Sequence, residues 1–234
     1  MRLIPCPPYK RRVKIMDYNI HVSDGNTKMG VIPSFSLTPV MTCRADAPCK
    51  DRCYARKAYR LFPKTRRSYD ENTKLVQKNL IRFENQMNAW LDLYHPQVFR
   101  IHVSGDFCSY EYLLAWSRVI RKHSDTLFFC FTKQWDIVRE YMKSHNMMPN
   151  FTIILSAWVP NGDIKTWCPP GDLLAKLPVA WVVDEKHDEQ YSTLAKTIGA
   201  QRIGRVRKCN GNCDECGMCF HLRKSNGDVL FRLH

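Results

Sequence analysis

No stretch of this 234-residue chain is apolar for long enough to cross a bilayer, so a helical membrane span is excluded. The start, Met1 to Lys14, is basic and lacks the apolar run of a secretory signal, so export is not expected and the cytoplasm is the expected compartment. Carboxylates are scarce. Only 22 Asp and Glu face 36 Lys and Arg, a formal charge of +14. A surface that basic attracts nucleic acid or another polyanion, although a solvated basic face has the same charge. Placement adds to the charge: Arg52, Arg56, Lys57, Arg60, Lys64, Arg66 and Arg67 lie together, as do Arg202, Arg205, Arg207 and Lys208. Hydrophobic residues at 44% and charged ones at 25% are ordinary for a soluble globular protein of one large domain.

A fourth cysteine is also missing where one would be looked for. Eleven cysteines are present, and seven fall in two groups, 43/49/53 and 209/213/216/219. Disulfide frameworks spread their cysteines to close loops, whereas metal sites bunch them, and nothing directs this chain to an oxidising compartment. Cys43, Cys49 and Cys53 have no other Cys or His within ten residues on either side. Iron–sulfur cubanes and structural zinc sites normally take four protein ligands. Three thiolates leave one coordination position open to a substrate or cofactor; the alternative is a zinc site completed from afar by His102, His187 or Cys168. Cys209, Cys213, Cys216 and Cys219 contain the C-x2-C-x2-C turn that wraps a ferredoxin-type cubane, with zinc as the alternative. Four thiols in one segment close the sphere, so this second site is expected to be structural or electron-transferring. Cys130, inside Leu127-Phe-Phe-Cys-Phe131, reads as a small buried hydrophobe. Cys6, Cys108 and Cys168 have no assigned role.

Between the two groups the chain alternates strand and helix. Val13 to Val22 is strand-like, and Val31 to Leu37 forms a short first strand leading into the cysteine loop. Ser68 and Glu71 make a capping box for a helix whose apolar stripe is Val76, Leu80, Phe83, Met87, Trp90 and Tyr94, ending at Pro96. Strands are expected at Val98–Val103, Thr126–Phe131, Phe151–Leu155, Val179–Val183 and Gln201–Val206. Helices are expected at Tyr110–Arg121 behind Ser109, Gln134–Lys143 behind Thr132, near Asp172–Lys176, and at Glu189–Ile198 behind Asp188. Six strands in alternation with helices imply parallel pairing, in an open doubly wound sheet or a partial barrel. The expected division is an extension over 1–30, a partial (β/α)6 barrel over 31–207, and a cysteine-rich extension over 208–234.

In such folds the working residues sit beyond the C-terminal ends of the strands. The tips here are the cysteine loop, Ser104-Gly105-Asp106, Thr132-Lys133, Ser156-Ala-Trp158, Asp184-Glu185-Lys186 and Arg207-Lys208-Cys209. Six tips on one face would bring the polar residues together with both cysteine groups.

A cysteine loop after the first strand of a six-unit partial barrel, with the aromatic Tyr54 beside the last cysteine, resembles the radical S-adenosylmethionine (SAM) enzymes. Gly25-Asn-Thr-Lys-Met-Gly30, Phe35-Ser-Leu37, Cys53-Tyr-Ala55, His102-Val-Ser-Gly-Asp-Phe107 with Glu111, Tyr112 and Trp116, and the C-terminal C-x2-C-x2-C more closely resemble the phage "gene product eighty-eight" family. The radical SAM resemblance implies that Cys43, Cys49 and Cys53 hold a [4Fe-4S] cluster whose fourth iron chelates SAM. It implies further that Ser104, Gly105 and Asp106 receive the methionyl amine, with Ser156 as a weaker candidate contact and Tyr54 beside the cofactor. An electron donor is then needed, and the organic chemistry belongs to the cofactor. The expected function is a radical-SAM-like iron–sulfur enzyme with an auxiliary C-terminal cluster, acting on an anionic substrate such as nucleic acid. The alternatives are a non-catalytic nucleic-acid-binding protein stabilised by zinc or iron–sulfur, and an electron carrier.

Overall fold

The alternation of apolar runs and amphipathic stretches is realised as one eight-stranded sheet with helices, a mixed α/β structure. The computed structural model describes residues 20–159, 167–183, 193, 196, 205–225 and 227–232. In chain order the elements are β1 (Val22–Ser23), β2 (Ser34–Phe35), α1 (Tyr54–Leu61), α2 (Pro63–Lys78), α3 (Leu80–Tyr94), β3 (Val98–Ile101), α4 (Tyr110–Lys122) and β4 (Leu127–Thr132). Then come α5 (Trp135–Ser144), β5 (Phe151–Trp158), α6 (Gly171–Leu174), β6 (Val179–Val183), β7 (Arg205–Lys208), α7 (Cys213–Cys216), α8 (Met218–Ser225) and β8 (Gly227–Arg232). The sheet order is β1-β2-β3-β4-β5-β6-β8-β7. Among the described strands only β1 runs antiparallel to its neighbour. From β2 to β6 the order has none of the reversal that marks a doubly wound sheet.

Period-two alternation sorts the strand residues onto two covered faces. Phe99, Ile101, Phe128, Cys130, Ile153, Leu155 and Trp181 face the main core with Phe83, Met87, Trp116 and Val138 of the helices. Phe35, the last residue of β2, Phe83 and Trp116 pack there with ring centroids 5.2–5.8 Å apart, Trp116 edge to face with both others. Cys130 is fully buried in this core, as a small hydrophobe. The opposite face carries Val98, Phe129, Ile154, Ala180 and Val229, and α8 covers it with Phe220 and Leu222. Thr152 Oγ1 donates to Phe220 O at 2.9 Å, tying α8 to the middle of the sheet.

Local rules misplace some boundaries. The Ser68–Glu71 capping box is not formed: Pro63 at the first helical position starts α2, and Ser68 Oγ donates back to Lys64 O inside it. The expected long helix is two helices, broken at Asn79, whose side chain accepts from Arg82 N and caps α3. Ser109 does cap α4, accepting from Tyr112 N. Strand β5 runs on to Trp158, because β6 offers partners as far as Val182, so Ser156 lies within the sheet opposite Ala180. Strand β8 was not expected. It inserts between β6 and β7, so Gly227–Arg232 of the expected cysteine-rich extension belong to the sheet. Residues 13–19, 184–192 and 201–204, which carry the expected early strand, the Asp184–Lys186 tip, most of the 189–198 helix and the start of the last strand, lie outside the described residues, as does Cys6.

Candidate functional site

The chain leaving β2 is turned by its own polar residues. Leu37 N donates to Ser104 O (2.9 Å), Thr38 N to Thr73 Oγ1 (2.8 Å) and Thr38 Oγ1 to Asp70 (2.7 Å). Val40 then adopts a left-handed backbone, φ 69°, which a β-branched residue resists. Thr42 Oγ1 donates to Thr38 O at 3.0 Å and Cys43 N to Val40 O at 3.2 Å, so the strained turn closes at the first cysteine. Further along, Arg44 pairs with Asp46 (2.7 Å) and with Asp136 (2.9 Å), and lies over the Trp135 ring at 5.0 Å. Trp135 in turn packs 4.3 Å from Trp167, beyond β5. Tyr54, at the start of α1, donates its hydroxyl to Val103 O at 2.5 Å. The cysteine loop is thereby fastened to the ends of β3 and β4 and to the chain following β5.

Asp106 is the fastener between loops. Its buried carboxylate accepts from Thr132 Oγ1 (2.6 Å), Lys133 N (2.8 Å) and Phe107 N (2.8 Å), while Asp106 N donates to Thr42 Oγ1 at 3.3 Å. Burial raises its pKa and the three donors pull the other way. Both oxygens already accept, so Asp106 positions the loop. Gly105, φ 77°, leaves no room for a Cβ: one would sit 2.6 Å from Thr42 Oγ1 and 2.7 Å from Leu37 Cβ. His102, left-handed at φ 62°, meets Tyr112 OH through Nε2 at 3.0 Å, and burial drives its pKa down to about 3. Its Nδ1 and the Ser104 Oγ are both buried and have no hydrogen-bond partner among the described residues. Buried polar atoms without partners are uncommon. Ser104 Oγ and His102 Nδ1 are thus the two polar atoms of this loop left without a partner among the described residues. Ser156, expected at a strand tip, is a buried residue within β5 and two positions short of its end.

The three thiols of the loop are half-buried, and none is in a disulfide. Burial, then the charge of Asp106, pushes Cys43 up to about 12, and Cys49 is near enough to add to the rise. Among the described residues no three His, Cys, Asp or Glu side chains are drawn together tightly enough to hold a metal ion. Cys43, Cys49 and Cys53 share one pinned loop, but their sulfur atoms do not converge on a point. Ligation would have to displace the Cys43 proton and draw the thiols inward.

The second group is built on the other face of the sheet. Cys209 follows β7 and donates its N–H to Leu230 O of β8 (2.9 Å); Cys213 N donates to Lys28 O (2.9 Å). Gly217, φ 62°, ends α7 in the left-handed turn that starts α8. Cys209, Cys213, Cys216 and Cys219 all line one small pocket, walled by Phe129, Met218 and Phe220. Burial, then the neighbouring thiols Cys213 and Cys209, pushes Cys219 up to about 12. Burial raises Cys213 as well, and the positive charge of Arg100 opposes the rise. Four soft donors around one apolar pocket are of the type that holds an iron–sulfur cluster or zinc, but here too no three of them are drawn tightly enough together to share a metal ion.

Some contributors carry no local signal. Arg100 is a lone cation in an apolar strand. Its Nε donates to His102 O (3.3 Å), its Nη1 meets Met29 Sδ (3.4 Å), and its guanidinium lies 5.0 Å from the Phe131 ring centre. The turn at Asn26–Gly30 packs against the C-terminal cysteines: a Cβ on Gly30, φ 60°, would fall on the Asp214 carboxylate. A charge inside an otherwise apolar strand was the one visible hint of Arg100. Nothing local could have joined residues 26–30 to residue 214.

A family model described as Gene product 88 matches residues 14–222. The chain is 27% identical over 136 residues to the Gene 88 protein of Mycobacterium phage D29, covering 58% of this chain and 55% of that protein. It is 28% identical over 138 residues to the Gene 88 protein of Mycobacterium phage L5, covering 58% and 54%. The match thus spans about half the length of these relatives. No solved structure matches. Among the described residues no helix is long and apolar enough to cross a membrane.

Proposed function

The chain belongs to the gene product 88 family, and from that premise we propose that it is an iron–sulfur enzyme of radical SAM type acting on an anionic substrate. The observation that carries the reading is the pinned three-thiol loop, set where the parallel strands end, with Ser104, whose Oγ is buried and unpartnered among the described residues, bonded through its carbonyl to Leu37 N on the chain entering that loop. The unreversed order from β2 to β6 supports a partial (β/α)6 barrel. Cys43, Cys49 and Cys53 would hold a [4Fe-4S] cluster with one iron left for SAM, and Cys209, Cys213, Cys216 and Cys219 a second, closed cluster. Such a cluster, once reduced by an electron donor, supplies the electron that cleaves SAM. The chain's own part is positional. Asp106, Thr42 and Tyr54 hold the loop, and Ser104 offers a buried acceptor to the methionyl amine.

Anaerobic reconstitution followed by iron and sulfide analysis tests the proposal. About eight irons per chain are expected, four for each cubane. Reduction in the presence of SAM then releases 5′-deoxyadenosine, and Cys53→Ala abolishes the release. A colourless protein holding zinc and no iron would favour the second reading, a metal-stabilised nucleic-acid-binding protein, for which the four-thiol pocket and the charge of +14 speak.

A further inference from the structure

The corner where α1 meets α2 presents basic residues without acidic ones. From Arg52 to Tyr69 there is no Asp or Glu, and Arg52, Arg56, Lys57, Arg60, Lys64, Arg66 and Arg67 are all exposed. Arg67 pairs with Glu71, but Lys57, Arg60, Lys64 and Arg66 have no carboxylate partner among the described residues. Lys64 and Arg66 sit in the first turn of the 16-residue α2, where the helix dipole disfavours cations and no acid offsets them. An anion at that turn would remove the penalty. Apolar side chains stand among these charges: Tyr54 is 56% exposed, Leu61 59% and Phe62 57%. Phe62 is held between the two helices as the last cap of α1 and the first of α2, and Tyr54 is anchored through its hydroxyl to Val103 O. Rigid exposed aromatics interleaved with cations form the surface on which single-stranded nucleic acid binds, phosphates on Lys and Arg and bases stacked on rings.

We propose that the α1–α2 corner binds single-stranded nucleic acid and feeds it to the cysteine loop, whose last residue, Cys53, is the N-terminal cap of α1. This deepens the proposed function by naming its substrate class. An anionic membrane would also suit cations around Leu61 and Phe62, but docked there it would lie over the cysteine loop and shut the substrate out. Sugar discrimination is not part of the surface, because phosphates and base faces are common to DNA and RNA.

The test is fluorescence anisotropy of a labelled single strand of about 20 nucleotides, long enough to exceed one site of roughly 4–16 nucleotides, with the full chain both metal-free and reconstituted. Arg56→Gln, Lys57→Gln and Arg60→Gln together should lower the slope of log affinity against log salt by about 2, from three phosphate contacts at ~0.7 each. Phe62→Ala should weaken binding roughly tenfold, the effect of one lost stack. Circular dichroism checks that each variant is folded. As control, Arg121→Gln, Lys143→Gln and Lys176→Gln remove three exposed cations from the opposite end of the sheet; affinity and slope should stay within about twofold, since no phosphate contact is lost there. Equal loss from the control set, or binding indifferent to salt, overturns the proposal. So does capture by phosphatidylserine vesicles that depends on the α1 cations while no strand binds. An unchanged affinity on Phe62→Ala overturns the single-strand assignment. Strand binding by a chain that takes up no iron on anaerobic reconstitution sinks the enzyme reading and leaves this surface standing; iron uptake and SAM cleavage without strand binding do the reverse.

Discussion

Three glycines separate backbone strain from crowding, and Gly105 combines the two. At Gly171 the backbone is ordinary and the space around a new Cβ is open; at Gly211 φ is 83° but the space is open; at Gly105 φ is 77° and Thr42 and Leu37 stand within 2.7 Å. Gly171→Ala should therefore be neutral, or stabilising by up to about 1 kcal/mol through lost backbone entropy of the unfolded chain. Gly211→Ala carries only the left-handed penalty, about 1–2 kcal/mol. Gly105→Ala adds overpacking of about 1–3 kcal/mol, for a total of about 2–5 kcal/mol. In a chain of this size each kcal/mol is worth roughly 2–4 °C in Tm, so a fall on the order of 10 °C is expected. The strain falls on Thr42, the residue before Cys43, which is bonded to Asp106 N and Thr38 O. Gly105→Ala should thus deplete iron at the first loop and leave the C-terminal group loaded. Urea unfolding of the three metal-free variants, with iron analysis of each after reconstitution, reads both effects. If Gly105→Ala costs no more than Gly211→Ala, the packing of the rim loop against the cysteine loop has been misread.

His102 should make the fold acid-sensitive. Its pKa is depressed from 6.5 to about 3 by burial, with Arg100 adding to the fall. Its contribution is therefore present above pH 6.5 and lost as pH falls towards 3, amounting at most to something on the order of 5 kcal/mol. His102→Asn, which tolerates the left-handed backbone, should flatten the acid limb of a stability-against-pH curve; an unchanged limb would assign the sensitivity elsewhere. Asp228 accepts from Val179 N and from Trp181 Nε1, both at 2.9 Å, across the junction of β6 and β8. Asp228→Ala leaves two buried donors without that partner and should cost about 2–6 kcal/mol by urea unfolding, whereas a cost under ~0.5 kcal/mol would mean that β8 does not lie beside β6.

What the sequence determined by itself was local. The apolar runs placed β3, β4, β5 and β6, the stripe through Phe83 and Met87 found the helical core face, and Ser109 announced its cap, because periodicity and capping involve only neighbours in the chain. Cysteine spacing likewise separated a three-thiol loop from a four-thiol turn. The tertiary structure alone decided who lies beside whom: β8 between β6 and β7, α8 across the second face of the sheet, Gly30 against Asp214, and Asp106 turned inward to Thr132 and Lys133. These contacts join residues from about 20 to more than 180 positions apart along the chain, and no local pattern encodes such a pairing. Local signals also failed where long-range packing outweighed them. A plausible cap at Ser68 was passed over once Pro63 could start the helix earlier, and β5 grew past Ser156 because β6 supplied it with partners. Spacing grouped the thiols, and packing decided which buried polar atoms keep no partner among the described residues.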